Sequence, residues 1–207
     1  ATWEGSWRVN SALADDVKAT LSWHDAHSRE YITEDRNTAA DRVRDVTYDE
    51  RTLQANLQGS KLIRMGSGAD AWAQKLTYGL DYTRAQVENL QTGVTPPAGE
   101  TFPLKRFPDT TESSAALFVQ DEFIRGPWSI TPGVRFDSFR IKADQAGFAA
   151  NAVSLSGHAT SPKLGVLYRA NEAWSVFGNY AAGFRAPNAG QVNAFFENTV
   201  GGYRTIP

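Results

Sequence analysis

The chain has 207 residues, of which 41% are hydrophobic, 12% aromatic and 21% charged, with a formal net charge of −2. That balance is too aromatic for disorder and not basic enough for a general nucleic-acid binder. Cysteine is absent, which excludes disulfide scaffolds, thiolate metal sites and cysteine nucleophiles together, and no apolar run approaches the roughly eighteen residues of a transmembrane helix. The opening ATWEG has no initiator Met, basic n-region or apolar h-region, so it reads as a processed or internal start.

In chain order, segments of alternating apolar and polar residues are separated by turns or polar loops. The first is predicted over residues 4–12. The second, 17–32, puts Val17, Ala19, Leu21 and Trp23 on one face and Lys18, Thr20, Ser22 and His24 on the other. A third, 48–63, opposes Leu53, Ala55 and Leu57 to Gln54, Asn56 and Gln58. A fourth, 74–86, opposes Leu76, Tyr78, Leu80 and Tyr82 to Thr77, Gly79, Asp81 and Thr83. Segments 114–125 and 128–141 follow, the latter with Pro132, Val134 and Phe136 against Gly133, Arg135 and Asp137. The seventh, 161–169, sets Pro162, Leu164, Val166 and Tyr168 against Lys163, Gly165, Leu167 and Arg169, and the eighth covers 173–185. A repeat of two means β-strands with one apolar and one polar face, so the chain is predicted to be all-β and antiparallel.

The connections alternate strictly between short turns and long polar loops, the long ones at about 33–47, 86–113, 142–160 and after Pro187. Outer-membrane β-barrels have this pattern: short turns on the periplasmic side, long loops outside, and strands apolar toward lipid and polar toward the lumen. A soluble β-sandwich or propeller also alternates, but sandwich strands run to about 5–6 residues and several here exceed ten. Leu53, Leu57, Val134, Leu164 and Val166 are therefore expected to face lipid, and Gln54, Asn56, Arg135 and Lys163 the lumen. Trp23, Trp128, Phe136, Tyr168, Trp174 and Tyr180 lie near strand ends, where aromatic belts meet headgroups. No Ser-His-Asp order, phosphate loop or nucleotide motif is present, so catalysis has no support.

Several blocks carry a family resemblance. YAAGFRAP (180–187), SPKLGVLYR (161–169), ITPGVRFD (130–137) and FVQDE (118–122) resemble the barrel of TonB-dependent outer-membrane receptors. TYDERTL (47–53), LTYGLDYTR (76–84), FPLKRFPDT (102–110) and GYRTIP (202–207) are similar to the haem/haemoglobin and transferrin/lactoferrin receptor branch. The resemblance implies a barrel of about 22 strands around an N-terminal plug. Residues 1–207 then form part of the barrel domain, a fragment from the middle of a larger chain lacking the plug and remaining strands. An eight-stranded barrel closing on itself is the other possibility. The resemblance also implies the outer membrane of a Gram-negative bacterium and energy from the TonB system through the plug. No intrinsic cofactor is implied. The cargo is haem or haem from a host haemoprotein, with a ferric siderophore or other metal chelate as the alternative, and a passive porin, adhesin or enzyme barrel further off.

In that branch the segment after the FRAP motif, here Phe184, Arg185, Ala186 and Pro187, forms an extracellular loop that often carries a haem-binding histidine. Residues 188–207 contain no His. Tyr203, a phenol able to ligate ferric haem, and His158, expected in the 142–160 loop, are the candidate ligands, with Phe195 and Phe196 as apolar contacts for the porphyrin. Arg185 is expected on the lumenal face, Phe184 in the outer aromatic belt, and Pro187 at the strand end.

Overall fold

A computed structural model describes residues 1–68, 71–97, 99–194, 196–198 and 203–205. It contains one eight-stranded sheet: β1 (Thr2–Arg8), β2 (Asp16–Glu34), β3 (Arg42–Met65), β4 (Trp72–Val94), β5 (Thr110–Arg125), β6 (Trp128–Ala143), β7 (Leu155–Arg169) and β8 (Ser175–Ala181). Each strand pairs antiparallel with the next in sequence order. A short helix, α1 (Ala189–Asn193), and a separate pair, β9 (Phe196–Asn198) with β10 (Tyr203–Thr205), follow.

The alternation fixes the faces. Leu57, Leu80, Leu117 and Phe136 stand in one cross-strand row, and Asn56, Asp81, Ala116 and Asp137 in the adjacent row of opposite side-chain parity. Val134 and Arg135 accordingly fall on opposite faces, as expected. The apolar face has nothing above it: Leu117 is 63% and Val176 68% exposed. A continuous exposed apolar band of this kind needs lipid or protein against it. Trp72 stacks on Phe123 with ring centroids 6.4 Å apart, and Trp128 lies 4.5 Å from Tyr168. Both pairs sit at the short-turn end, where a girdle of amphipathic rings is expected.

The expected strand bounds need correction at the long-loop end. β3 starts at Arg42, β4 runs to Val94, β5 begins at Thr110 and β7 at Leu155, so the connecting loops shrink to residues 35–41, 95–109 and 144–154. Beyond Trp23 and Leu53 the apolar-face positions of β2 and β3 carry charge, matched across the ladder. Arg29 makes a bidentate pair with Asp45, with Nε at 2.7 Å and Nη2 at 2.6 Å. His27 lies 2.6 Å from Asp49, and Arg51 3.8 Å from Asp25. Opposite charges on facing and diagonal positions support a hairpin without apolar residues, and its tip, residues 33–34 and 42–47, lies outside the strands expected from an apolar period of two. β1 is also displaced, ending at Arg8 because Asn10 takes φ 46° and Val9 and Asn10 both donate to the Asp15 carbonyl. β8 stops at Ala181, where the last ladder bond runs from Ala182 N to the Pro162 carbonyl.

The turn between β1 and β2 is tied to β3 through Asp15. Lys61 Nζ approaches one carboxylate oxygen at 2.6 Å and the Leu62 backbone N–H the other at 2.8 Å. The lysine bond, then the Leu62 N–H, holds the Asp15 carboxyl below its ordinary range. A carboxyl depressed in the folded state contributes stability above its unfolded pKa of about 4 and loses it as pH falls through the folded value. In urea unfolding of the full-length protein, the stability gap between the parent and Asp15→Asn should narrow as pH drops below about 4. A gap that persists unchanged to lower pH would show that the carboxylate charge is not what ties the turn.

Candidate functional site

The polar face carries a linked set of side chains at mid-sheet. Asn56 on β3 donates to Asp81 on β4, and Arg135 on β6 reaches the other Asp81 oxygen at 2.5 Å. The same guanidinium donates from Nε to Asp137 at 2.8 Å, and Lys163 on β7 donates to Gln120 on β5. A cation held by two carboxylates would be costly against lipid and is satisfied here, as expected of a surface lining water or another protein domain. Such a set can hold and orient a polar partner; it places no nucleophile beside a base. Among the described residues, no group of three or more His, Asp or Glu could hold a metal ion.

At the long-loop end the loops fold back over this polar face. Asn89 on β4 clamps the 95–109 loop, donating to the Phe107 carbonyl at 2.6 Å and accepting from Arg106 N at 2.8 Å. Leu104 exchanges backbone bonds with Gln91 at 2.8 Å in both directions, and Tyr48 meets Phe107 edge-on at 6.3 Å. Lys105 joins this loop to the next, bonding Asp109 at 2.5 Å and the Ala146 carbonyl at 3.2 Å. Asn193 of α1, fully buried, exchanges two 2.7 Å bonds with the backbone of Val153. The Ala189 N–H donates to Glu112 on β5. Val87, Leu104, Ile141, Phe148 and Ala189 are buried at this end, so most of the buried apolar side chains among the described residues lie under the loops.

The expected ligands are distributed differently from the sequence reading. His158 is not in a loop. It belongs to β7, in register with Ser138, and stacks on Phe136 at 6.0 Å. Because Phe136 is on the apolar face, His158 faces away from the polar face. Phe184 is not in the outer belt: its ring lies 5.7 Å from that of Phe139, a polar-face residue paired with Ser114 and Gly157. The space is available because residue 157 has no side chain, a Cβ there meeting the Phe139 ring at 2.8 Å. Arg185 does not continue a strand face, since β8 ends before it, and Pro187 lies beyond the strand end. Ala186 and Pro187 lead into the Asn188 capping box of α1, in which Asn188 accepts from Gln191 N at 2.9 Å. Phe196 is in β9 and Tyr203 in β10, with Tyr203 in register with Asn198; Phe195 lies outside the described residues. The loop-anchoring residues Asn89, Glu112 and Asn193 went unnoticed in the sequence, where isolated polar residues in loops and strand ends carry no distinguishing pattern.

Comparison with known proteins gives two findings. The family model described as "TonB dependent receptor-like, beta-barrel" matches residues 1–207. Among solved structures, the chain is similar to the ferric citrate transporter FecA in its unliganded form, with a TM-score of 0.55 and 18% identity. That likeness, a likeness of fold, covers 79% of this chain and 24% of the other, so the chain spans about a quarter of that structure's length. No curated protein matches.

Proposed function

Because the chain belongs to the TonB-dependent receptor-like β-barrel family, we propose that it forms part of a Gram-negative outer-membrane receptor that takes up a ferric chelate with TonB-supplied energy. The barrel of such a receptor encloses a plug domain, and TonB acts through that plug. The observation that carries the reading is the polar face with its Asn56–Asp81–Arg135–Asp137 set, roofed at the long-loop end by tethered loops. A passive porin has no use for a lumenal surface organised to hold a domain under a closing roof.

A ferric chelate presents oxygen-rich, polar surface, and the sheet's polar face, with Asp81, Arg135, Asp137 and Lys163, is polar to match. The similar solved structure is that of a ferric citrate transporter, which agrees with this class of cargo. Haem is the second reading. It rests on Tyr203, a phenol able to ligate ferric iron, since His158 stacks on the apolar face. No enzymatic step and no resident cofactor belongs to this role.

The test is iron uptake by cells carrying the full-length receptor, with and without a functional TonB system. Uptake of ferric citrate or a ferric siderophore should require TonB. Growth on haem alone, abolished by Tyr203→Phe, would replace the chelate reading with the haem one. Solute flux independent of TonB would sink both and indicate a pore.

A further inference from the structure

Outside the roof and the polar face, one region carries charge with nothing to answer it. On the apolar face of β4–β7, the positions just beyond the hydrophobic band turn cationic. Arg84 on β4, Ser113 on β5, Arg140 on β6 and Ser156 on β7 stand in one cross-strand row. The row on the band side holds Tyr82, Ala115, Ser138 and His158. Two arginines are thus separated by one strand, with hydroxyls between and beside them and an imidazole below. Arg84, Arg140 and His158 are all exposed, and neither arginine makes an ion pair or side-chain hydrogen bond with a described residue.

The neighbouring hairpin makes the contrast. On β2 and β3 the same-face positions further out carry Arg29, Arg51 and His27, and each has an aspartate partner. No carboxylate occupies either row of the β4–β7 patch. Further out, Lys142 shares a groove with Glu88, Asp109 and Asp144, which closes the patch on the loop side. The site is therefore a cationic strip one or two outward-facing positions above Tyr82 and Phe136, where membrane headgroups begin. Guanidinium groups match phosphate oxygens in a bidentate geometry that an isolated lysine does not.

We infer that this strip binds the phosphate groups of an anionic glycolipid in the outer leaflet, fixing lipid to the barrel wall beneath the loops. The charge complementarity and the depth select a lipid over a soluble anion, because the apolar band directly below offers the acyl chains a surface. The inference rests on the outer-membrane placement proposed above.

Native mass spectrometry of the full-length receptor in detergent tests it, using doubly phosphorylated lipid A, the same lipid stripped of phosphate, and inorganic phosphate as separate probes. The phosphorylated lipid should bind about thirtyfold tighter than the stripped one, and each single change, Arg84→Gln or Arg140→Gln, should cost about fivefold. The double variant should lose the preference while keeping the parent's heat-modifiable mobility, which reports folding. Arg51→Gln, whose cation is already paired with Asp25, should keep it. Equal binding of the two lipids, an undiminished preference in either single variant, or inorganic phosphate bound as tightly as the lipid would each overturn the inference. Binding is read on purified protein without transport, so failure of iron uptake and failure of this site are separate results.

Discussion

Replacing Val134 with Arg should cost about 2–4 kcal/mol of barrel stability, the penalty for a cation at the lipid-facing midplane of an outer-membrane barrel. Val134 pairs with Val119 and Pro162 in the middle of the apolar band and is 41% exposed on the isolated sheet. In a membrane that exposed surface meets acyl chains, and an arginine there must snorkel or drag water with it. Thr77→Arg is the control. Thr77 is in register with Ser60 and Gln120 on the polar face, where an added charge stays hydrated. Guanidinium unfolding of the full-length protein in lipid vesicles separates the two, and equal costs would mean that the faces have been assigned the wrong way round.

A comparable loss is expected at the other kind of core. Ile141 is 2% exposed at the long-loop end, in register with Glu112 and Leu155. Glu112 in turn holds the Ala189 N–H of α1. Truncation to Ala removes buried methyl and methylene groups and leaves a cavity, at about 2–5 kcal/mol for a site that cannot collapse. The sheet below is held by long ladders, so the loss should fall on the roof. Hydrogen exchange at residues 95–109 and 144–154 should accelerate by at least about thirtyfold, while the mid-strand amides of β5 and β6 keep their protection. Unchanged exchange in the loops would show that the roof does not depend on this core.

The sheet was legible because its information is strictly local. A residue two positions away lies on the same face, so Leu76, Tyr78, Leu80 and Tyr82 reveal β4 with no knowledge of its partners. The outer tip of the β2–β3 hairpin was not legible, since residues 42–47 look like loop until Tyr31 and Arg29 stand opposite Asp45 and Thr47. The same limit governs the site. Tyr82, Arg84 and Arg140 become a strip only through register, and Asn193 acquires its role only by meeting Val153, forty residues away. His158 differs for the opposite reason: polar Ser156 and His158 resemble a loop, yet they continue β7 past the apolar band. Family motifs did not help there, because the FRAP block marks where a strand gives out and cannot say how the chain after it packs.

The unbroken sequential pairing of β1 through β8 bears on how such a wall is made. Every hydrogen-bonded interface joins chain neighbours, so no strand waits for a distant partner before it can be placed. Closing each hairpin costs only the entropy of its own turn, and the strand just laid down becomes the template for the next. Growth of this kind resembles a zipper more than a collapse, with the polar loops carried across one at a time as each hairpin is added. A fault such as a side chain at Gly93, where φ is 142° and an added Cβ would run into the Val43 carbonyl, would then stall the process at β3–β4. It would leave a half-built edge with free donors and acceptors, the form most exposed to mispairing and proteolysis.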